Sequence, residues 1–253
     1  MRIGLIDVDG HNFPNLALMK ISAWHKQKGD TVEWCLPLDR YDIVYQSKVF
    51  DETYSPDIDW LPMADEVIKG GTGYGLDNIL PPEIEHMYPD YSIYPELTKD
   101  TAYGFLTRGC PRGCKFCIVA EKEGRRAYKV ADLEEFWRGQ KNIVLLDPNI
   151  LACREWKDLL QQLIDSKAWV DFNQGLDIRL MTEEKAEMLK QVKIKQWHFA
   201  WDRYEDKDKI LPKFKMFKDI TGINERNLIV YVLCNFNTTF EQDLERINTL
   251  REM

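Results

Sequence analysis

No apolar run in this 253-residue chain approaches the length that spans a bilayer. The N-terminus, Met1-Arg2-Ile3-Gly4-Leu5-Ile6-Asp7, has no long apolar stretch of the kind that marks a secretory leader, and it reads as the start of a strand. No repeat or low-complexity tract is present. Positive charge is in deficit, with a formal net charge of −8, which argues against non-specific binding to nucleic acid. The six cysteines, three of them clustered, do not resemble a secreted disulfide framework. These absences point to a cytoplasmic protein with no membrane partner and no indicated nucleic-acid partner. The composition is ordinary for a globular protein, 44% hydrophobic and 30% charged, so a sizeable core can form.

What is there is one cysteine run, Cys110-Pro-Arg-Gly-Cys114-Lys-Phe-Cys117, directly after a strand-like segment at 102–107. Thiolates at this spacing on a loop converge on one soft metal centre. Three are too few to close a tetrahedral zinc site or to saturate a cubane iron–sulfur cluster. No neighbouring residue offers an obvious fourth ligand, and an open coordination position is where chemistry happens. A structural zinc site completed by a remote ligand such as His198 or Cys153 stays open as the bland alternative. Cys35, Cys153 and Cys234 read as small buried hydrophobes. With no second cysteine group, nothing marks an auxiliary cluster. Lys122, Arg125, Arg126 and Lys129 form a local basic patch that fits either a phosphate or a solvated loop.

Residues 1–80 alternate strand and helix signals. A strand at 2–8 ends in Asp7-Val8-Asp9-Gly10, and a helix follows from about Pro14 with an apolar stripe of Leu16, Met19, Ala23 and Trp24, stopped at Gly29. Further strands are expected at 31–36, 41–47 and 66–69, the last running into Gly70-Gly71-Thr72-Gly73. Residues 81–101, rich in Pro, Tyr and acidic side chains, read as a linker or wrapping segment. A second series begins at 102, with strands at 102–107, 142–146, 169–173, 196–201 and 228–234. Between them, Asp132 to Glu135 and Thr239 to Gln242 have capping-box form, and Trp156, Leu159, Leu160, Leu163 and Ile164 make a helical stripe. The fold class is α/β: a small Rossmann-like domain, then a partial (β/α) barrel over 102–253 whose strand ends share one mouth.

The segment from Gly104 to Cys117 resembles the cluster loop of the radical S-adenosylmethionine (SAM) superfamily, with Phe116 at that family's aromatic position. The resemblance implies that Cys110, Cys114 and Cys117 bind three irons of a 4Fe-4S cluster and that SAM chelates the fourth. Reductive cleavage of SAM would then yield a 5′-deoxyadenosyl radical, with the electron drawn from an external flavodoxin- or ferredoxin-like donor. It also implies SAM-binding roles for Phe116 beside the adenine, Asp147 and Asn149 toward the ammonium, Gln174 and Arg179 toward ribose and carboxylate, and Asp202 after the fourth strand. Asp147-Pro-Asn149 is equally an ordinary turn. The substrate and the catalytic residues acting on it are not readable.

Two departures from the family stand out. The fifth strand runs into Cys234-Asn-Phe-Asn-Thr-Thr239, where the glycines of the family's turn are absent. No sixth strand is visible, so the barrel is shorter than usual or a C-terminal piece is missing. The first domain weakly resembles the cobalamin-binding domain of one radical SAM branch: Asp9-Gly-His11-Asn-Phe-Pro14 echoes a D-x-H-x-x-G motif, with Gly70 to Gly73 as the second cofactor loop. That would make the chain a cobalamin-dependent radical methyltransferase. A degenerate domain kept for packing or substrate binding is the preferred expectation over a cobalamin site.

Overall fold

The first strand, β1 (Arg2–Asp7), lies inside a parallel sheet between β2 (Thr31–Trp34) and β3 (Arg40–Ser47), and β4 (Met63–Gly70) extends the sheet beyond β3. These features belong to the computed structural model, which describes residues 1–10 and 12–253. His11, which would be the cobalt ligand under the less favoured cobalamin alternative, therefore lies outside the described residues. The chain divides into two units, Met1–Thr101 and Ala102–Met253.

In the first unit, α1 (Leu16–Gln27) begins where the Asn15 side chain accepts the Leu18 N–H at 3.2 Å. It ends before Gly29, whose φ of +85° suits glycine. Leu18 and Ile21 pack on Ile3 and Leu5 of β1, while Ala23 and Trp24 of the expected stripe are half buried. His25 is buried as well, between Asp30 at 2.7 Å and the Tyr45 hydroxyl at 3.1 Å.

Residues 81–101 are not a free linker. Their helices α2 (Pro82–Glu85) and α3 (Pro95–Thr98) are short, yet Ile84 and Ile93, with Leu80 just before the segment, join the core over β1 and α1. Tyr94 donates to Asp7 at 2.5 Å and Ser22 donates to Asp90 at 2.6 Å. Prolines shorten the helices here without preventing the apolar residues between them from burying. The crossover from β2 to β3 is made by 35–39 alone, with no helix, and on the second face Ile58 and Trp60, from the loop before β4, pack with Ala64 of β4 on Ile6, Tyr41 and Val44.

In the second unit, β5 (Thr101–Gly104), β8 (Asn142–Leu145), β9 (Trp169–Phe172) and β10 (Lys193–Ile194) form one sheet in the order β10-β9-β8-β5. Between β5 and β8, the strands β6 (Thr107–Arg108) and β7 (Tyr128–Lys129) pair antiparallel and close the base of the cysteine loop, which also contains α4 (Val119–Lys122). The last two strands, β11 (Trp197–Ala200) and β12 (Leu228–Tyr231), pair parallel, and a parallel bridge between Leu176 and Phe199 carries the curve across to them. The helices α5 (Trp156–Ser166), α6 (Glu183–Leu189), α7 (Lys207–Thr221) and α8 (Phe240–Arg251) alternate with the strands. This is the partial (β/α) barrel expected from the sequence.

Strand alternation sorts its two faces. Ile143, Leu145, Val170, Phe172, Trp197 and Phe199 are buried, and α7 meets Trp197 and Phe199 with Phe214 and Phe217 at ring separations of 5.0–5.5 Å. Val144, Asp171 and His198 take the opposite, concave face. One capping box heads α8 as expected. The other, Asp132 to Glu135, heads only a 3-10 turn, because the chain reverses at Gly139 and must enter β8 by Asn142. Among the described residues no helix is long and apolar enough to cross a membrane.

Candidate functional site

The cysteine loop leaves β6 through Gly109, whose φ is +78° and where a Cβ would run into the Arg126 carbonyl. Its base is tied by Glu123, which accepts from Arg108 at 2.8 Å and from the Gly109 N–H at 2.9 Å. The Cys110 N–H donates to the Gly124 carbonyl at 3.2 Å, and the Cys117 N–H to that of Cys114 at 3.0 Å. Cys110 and Cys114 are half buried and Cys117 is exposed. Burial raises the Cys114 thiol, Arg179 opposes this, and Asp202, Cys117 and Cys110 add to it. The second cysteine thus lies in the field of both other cysteines and of two residues that follow β9 and β11.

The remaining candidate residues fall into three situations. Asn149 is 4% exposed and holds the loop to its neighbours: its amide nitrogen is 3.5 Å from Cys110 Sγ and 3.2 Å from Asp177 Oδ2. Its Oδ1 is buried with no hydrogen-bond partner. Asp177 continues the network. It accepts from Arg112 of the cysteine loop and from Arg179, each at 2.7 Å. Burial pushes its carboxyl up, but Arg179 and Arg112 outweigh that and hold it low. Arg179 spends a second donor on Asp206 at 3.2 Å, which leaves other N–H groups of its fork for an anion.

Asp147 points elsewhere. It accepts the Leu106 N–H at 3.1 Å, the Thr107 N–H at 2.5 Å and the Thr107 hydroxyl at 2.6 Å. Both carboxylate oxygens are spent on the backbone that launches the cysteine loop, so Asp147 acts here as a positioning residue and not as a group offered to a ligand's ammonium. Burial pushes its pKa up to about 6. Gln174 sits exposed on the turn after β9, and Asp202 follows β11, its carboxyl raised by burial against the pull of Arg179 and Arg246.

Phe116, 44% exposed, meets Phe236 edge to face at 5.3 Å. Phe236 was not singled out from the sequence. It lies between Asn235 and Asn237, both at positive φ (57° and 56°), so asparagines supply the left-handed turn for which glycines were missed. Arg246 of α8, fully buried, ties this region by donating to the carbonyls of Trp201 (2.6 Å) and Leu233 (2.7 Å). The only sequence signal for Arg246 was its place in an otherwise amphipathic final helix.

The donor chemistry fits a soft iron–sulfur cluster: three thiols on one loop, an amide N–H beside the first and a guanidinium near the second. Among the described residues no three His, Cys, Asp or Glu side chains stand drawn together around an ion position. The remote zinc ligands do not complete one, since the Cys153 thiol donates to Glu155 at 3.1 Å and His198 faces Asp171 at 3.6 Å. In the first unit, the Gly70 to Gly73 loop is shaped by its own chain. A Cβ at Gly71 would strike the Lys48 carbonyl, and one at Gly73 that of Phe50.

No protein-family profile and no curated protein matches this sequence. Among solved structures, the chain is similar to a radical S-adenosylmethionine methyltransferase, TsrM, from Kitasatospora setae, whose structure holds cobalamin and a 4Fe-4S cluster. The match has a TM-score of 0.58 at 11% identity and covers 91% of this chain and 66% of that one. The chain therefore spans just under two thirds of that protein's length. The likeness is one of fold, and it spans nearly all of a chain built from a parallel β2-β1-β3-β4 sheet and a partial (β/α) barrel.

Proposed function

We propose that the chain is a radical SAM enzyme in which Cys110, Cys114 and Cys117 hold a 4Fe-4S cluster with one iron left for SAM. The observation that carries this is the network Cys110–Asn149–Asp177–Arg179, which gathers residues from the cysteine loop, the β8 exit and the β9 exit at one mouth. When bound and reduced, the cluster supplies the electron that splits SAM into methionine and a 5′-deoxyadenosyl radical. The protein's own part is binding and orientation. Asn149 Oδ1, buried and unpartnered beside Cys110, accepts from the ammonium of the methionine moiety. The open donors of Arg179 take its carboxylate. Phe116 and Phe236 offer apolar faces to the adenine.

The test is anaerobic reconstitution with iron and sulfide, reduction in the presence of SAM, and chromatography for 5′-deoxyadenosine. Product is expected from the native chain and none from Cys114→Ala. One zinc per chain with no iron or sulfide taken up would overturn the reading in favour of a zinc-stabilised module.

A second reading, cobalamin-dependent methyl transfer, is favoured by the fold likeness together with the parallel β2-β1-β3-β4 unit, in which the strand order reverses between β1 and β3. Hydroxocobalamin is expected to co-purify or bind with a spectral change that His11→Ala alters. An unchanged free-cobalamin spectrum in both proteins would remove it.

A further inference from the structure

The concave face of the barrel carries a polar pair that the cysteine site does not use. Asp171 of β9 is in register with Val144 of β8, and His198 of β11 with Ile229 of β12. Each of these two ionisable residues thus has an apolar strand neighbour on the face turned away from the helices, with the His198 side chain mostly buried and that of Asp171 45% exposed. Asp171 Oδ1 and His198 Nδ1 are both buried, lie 3.6 Å apart and have no other hydrogen-bond partner. That separation is too long for a hydrogen bond, so the pair leaves two buried polar atoms unsatisfied. A purely structural pair would be expected to close. Catalytic carboxylate–imidazole pairs, in contrast, are often long without ligand and tighten on binding.

The surroundings say what would bind. Tyr231, exposed, faces the His198 ring with centroids 6.0 Å apart, and Tyr103 of β5 lies in the field of Asp171. These two tyrosines are the titratable groups that interact with the pair among the described contacts, and β8 contributes Val144 in register with Asp171. Burial raises the Asp171 carboxyl and His198 opposes the rise.

We propose that Asp171 and His198 form a proton-accepting pair for a substrate that carries an acidic O–H or N–H on a flat, largely apolar body. The proposal rests on the radical SAM reading of the mouth above it, which makes the concave face the place where a substrate waits. On binding, the Asp171 carboxylate accepts the His198 Nδ1–H and fixes the tautomer, leaving Nε2 as the base. The substrate's proton moves to Nε2. The electron pair of the broken O–H or N–H bond stays on the substrate heteroatom, and the imidazolium is neutralised by Asp171. No further reactant is needed. The deprotonated substrate is the more electron-rich partner for any later radical or alkyl transfer.

The probe is 4-nitrophenol, whose phenolate absorbs separately from the phenol, used below its own pKa with 4-nitroanisole as the analogue lacking the proton. The native chain is expected to bind 4-nitrophenol about tenfold more tightly than 4-nitroanisole, with growth of the phenolate band. His198→Gln and Asp171→Asn should each lose that preference and the band while binding 4-nitroanisole as before, their unchanged far-ultraviolet spectra showing that they fold. Equal binding of the two probes by the native chain, or a preference that survives both substitutions, would overturn the proposal. Cys114→Ala separates it from the cluster reading, because it should keep the probe preference while failing to form 5′-deoxyadenosine. Product from the native chain without probe preference sinks the pair alone; probe preference in a chain that takes up no cluster sinks the cluster reading alone.

Discussion

Asp147 bears a charge that its surroundings make costly and its partners make useful. Its pKa is pushed up to about 6, against 3.8 for an ordinary aspartate, because it is fully buried; the Thr107 and Leu106 donors only partly compensate. Below pH 3.8 both folded and unfolded chains hold the proton, and the group has no effect. Between 3.8 and 6 the folded chain keeps a proton that the unfolded chain has lost, so stability falls as pH rises. Above 6 the deficit is constant at about 3 kcal/mol. In urea titrations of the anaerobic apoprotein, this slope should appear in the native chain and be absent from Asp147→Asn. The same substitution keeps one oxygen for the two Thr107 donors but sets an amide N–H₂ against the Leu106 N–H, so iron uptake on reconstitution should fall well below that of the native chain. A variant with full iron content would show that the loop does not depend on Asp147. The sequence made a polar residue at this strand end legible. It did not reveal which way the carboxylate turns, because its partners lie about forty residues earlier and are backbone N–H groups.

At the scale of elements, the longer strands were legible because each is a short run bounded by turn residues, whereas β7 and β10, of two residues each, were not. Helices alternate with the strands in the second unit, but β2, β3 and β4 of the first are parallel with no helix between them. The wrapping role of 81–101 was harder to read, since proline-rich composition describes the backbone and not the burial of Ile84 and Ile93. Hidden entirely was the tie between α8 and the ends of β11 and β12. Arg246 has no exposed surface, and its guanidinium holds the Trp201 and Leu233 carbonyls together with Asp243 at 2.6 Å. Asp243 in turn accepts the Asn235 N–H at 2.8 Å and so fixes the turn that presents Phe236 to Phe116. Arg246→Met keeps the apolar stem but strands two buried carbonyls, at a cost of about 2–4 kcal/mol. The expected fall in Tm is roughly 5–15 °C. Phe236→Ala, on a turn already fixed by Asp243, should leave Tm nearly unchanged while weakening SAM binding in equilibrium dialysis. If Arg246→Met melts like the native chain, the last helix is not what holds the Phe236 turn.

At the scale of the whole molecule, charge is unevenly spread. Residues 108–129, which include the cysteine loop, hold seven basic and two acidic side chains, a net +5, while the rest of the chain carries −13. Lys115, Arg125 and Arg126 are exposed, as is Cys117. From the sequence this patch fitted a phosphate or nothing. On the folded loop it shares the exposed surface of the segment that carries Cys117, the most exposed thiol of the proposed cluster, and so marks a candidate point of electron entry. An acidic flavodoxin- or ferredoxin-like donor would be steered to that patch against the repulsion of an acidic protein, and such steering weakens with ionic strength. The rate of cluster reduction by reduced flavodoxin should therefore fall about tenfold between low and physiological salt, and Lys115→Glu or Arg126→Glu should slow it at low salt and flatten the dependence. A small uncharged photoreductant should reduce native and substituted chains at one rate, because it needs no docking patch. If the flavodoxin rate ignores both salt and substitution, the electron enters by another face and the basic loop serves only to stabilise the charge of the cluster it carries.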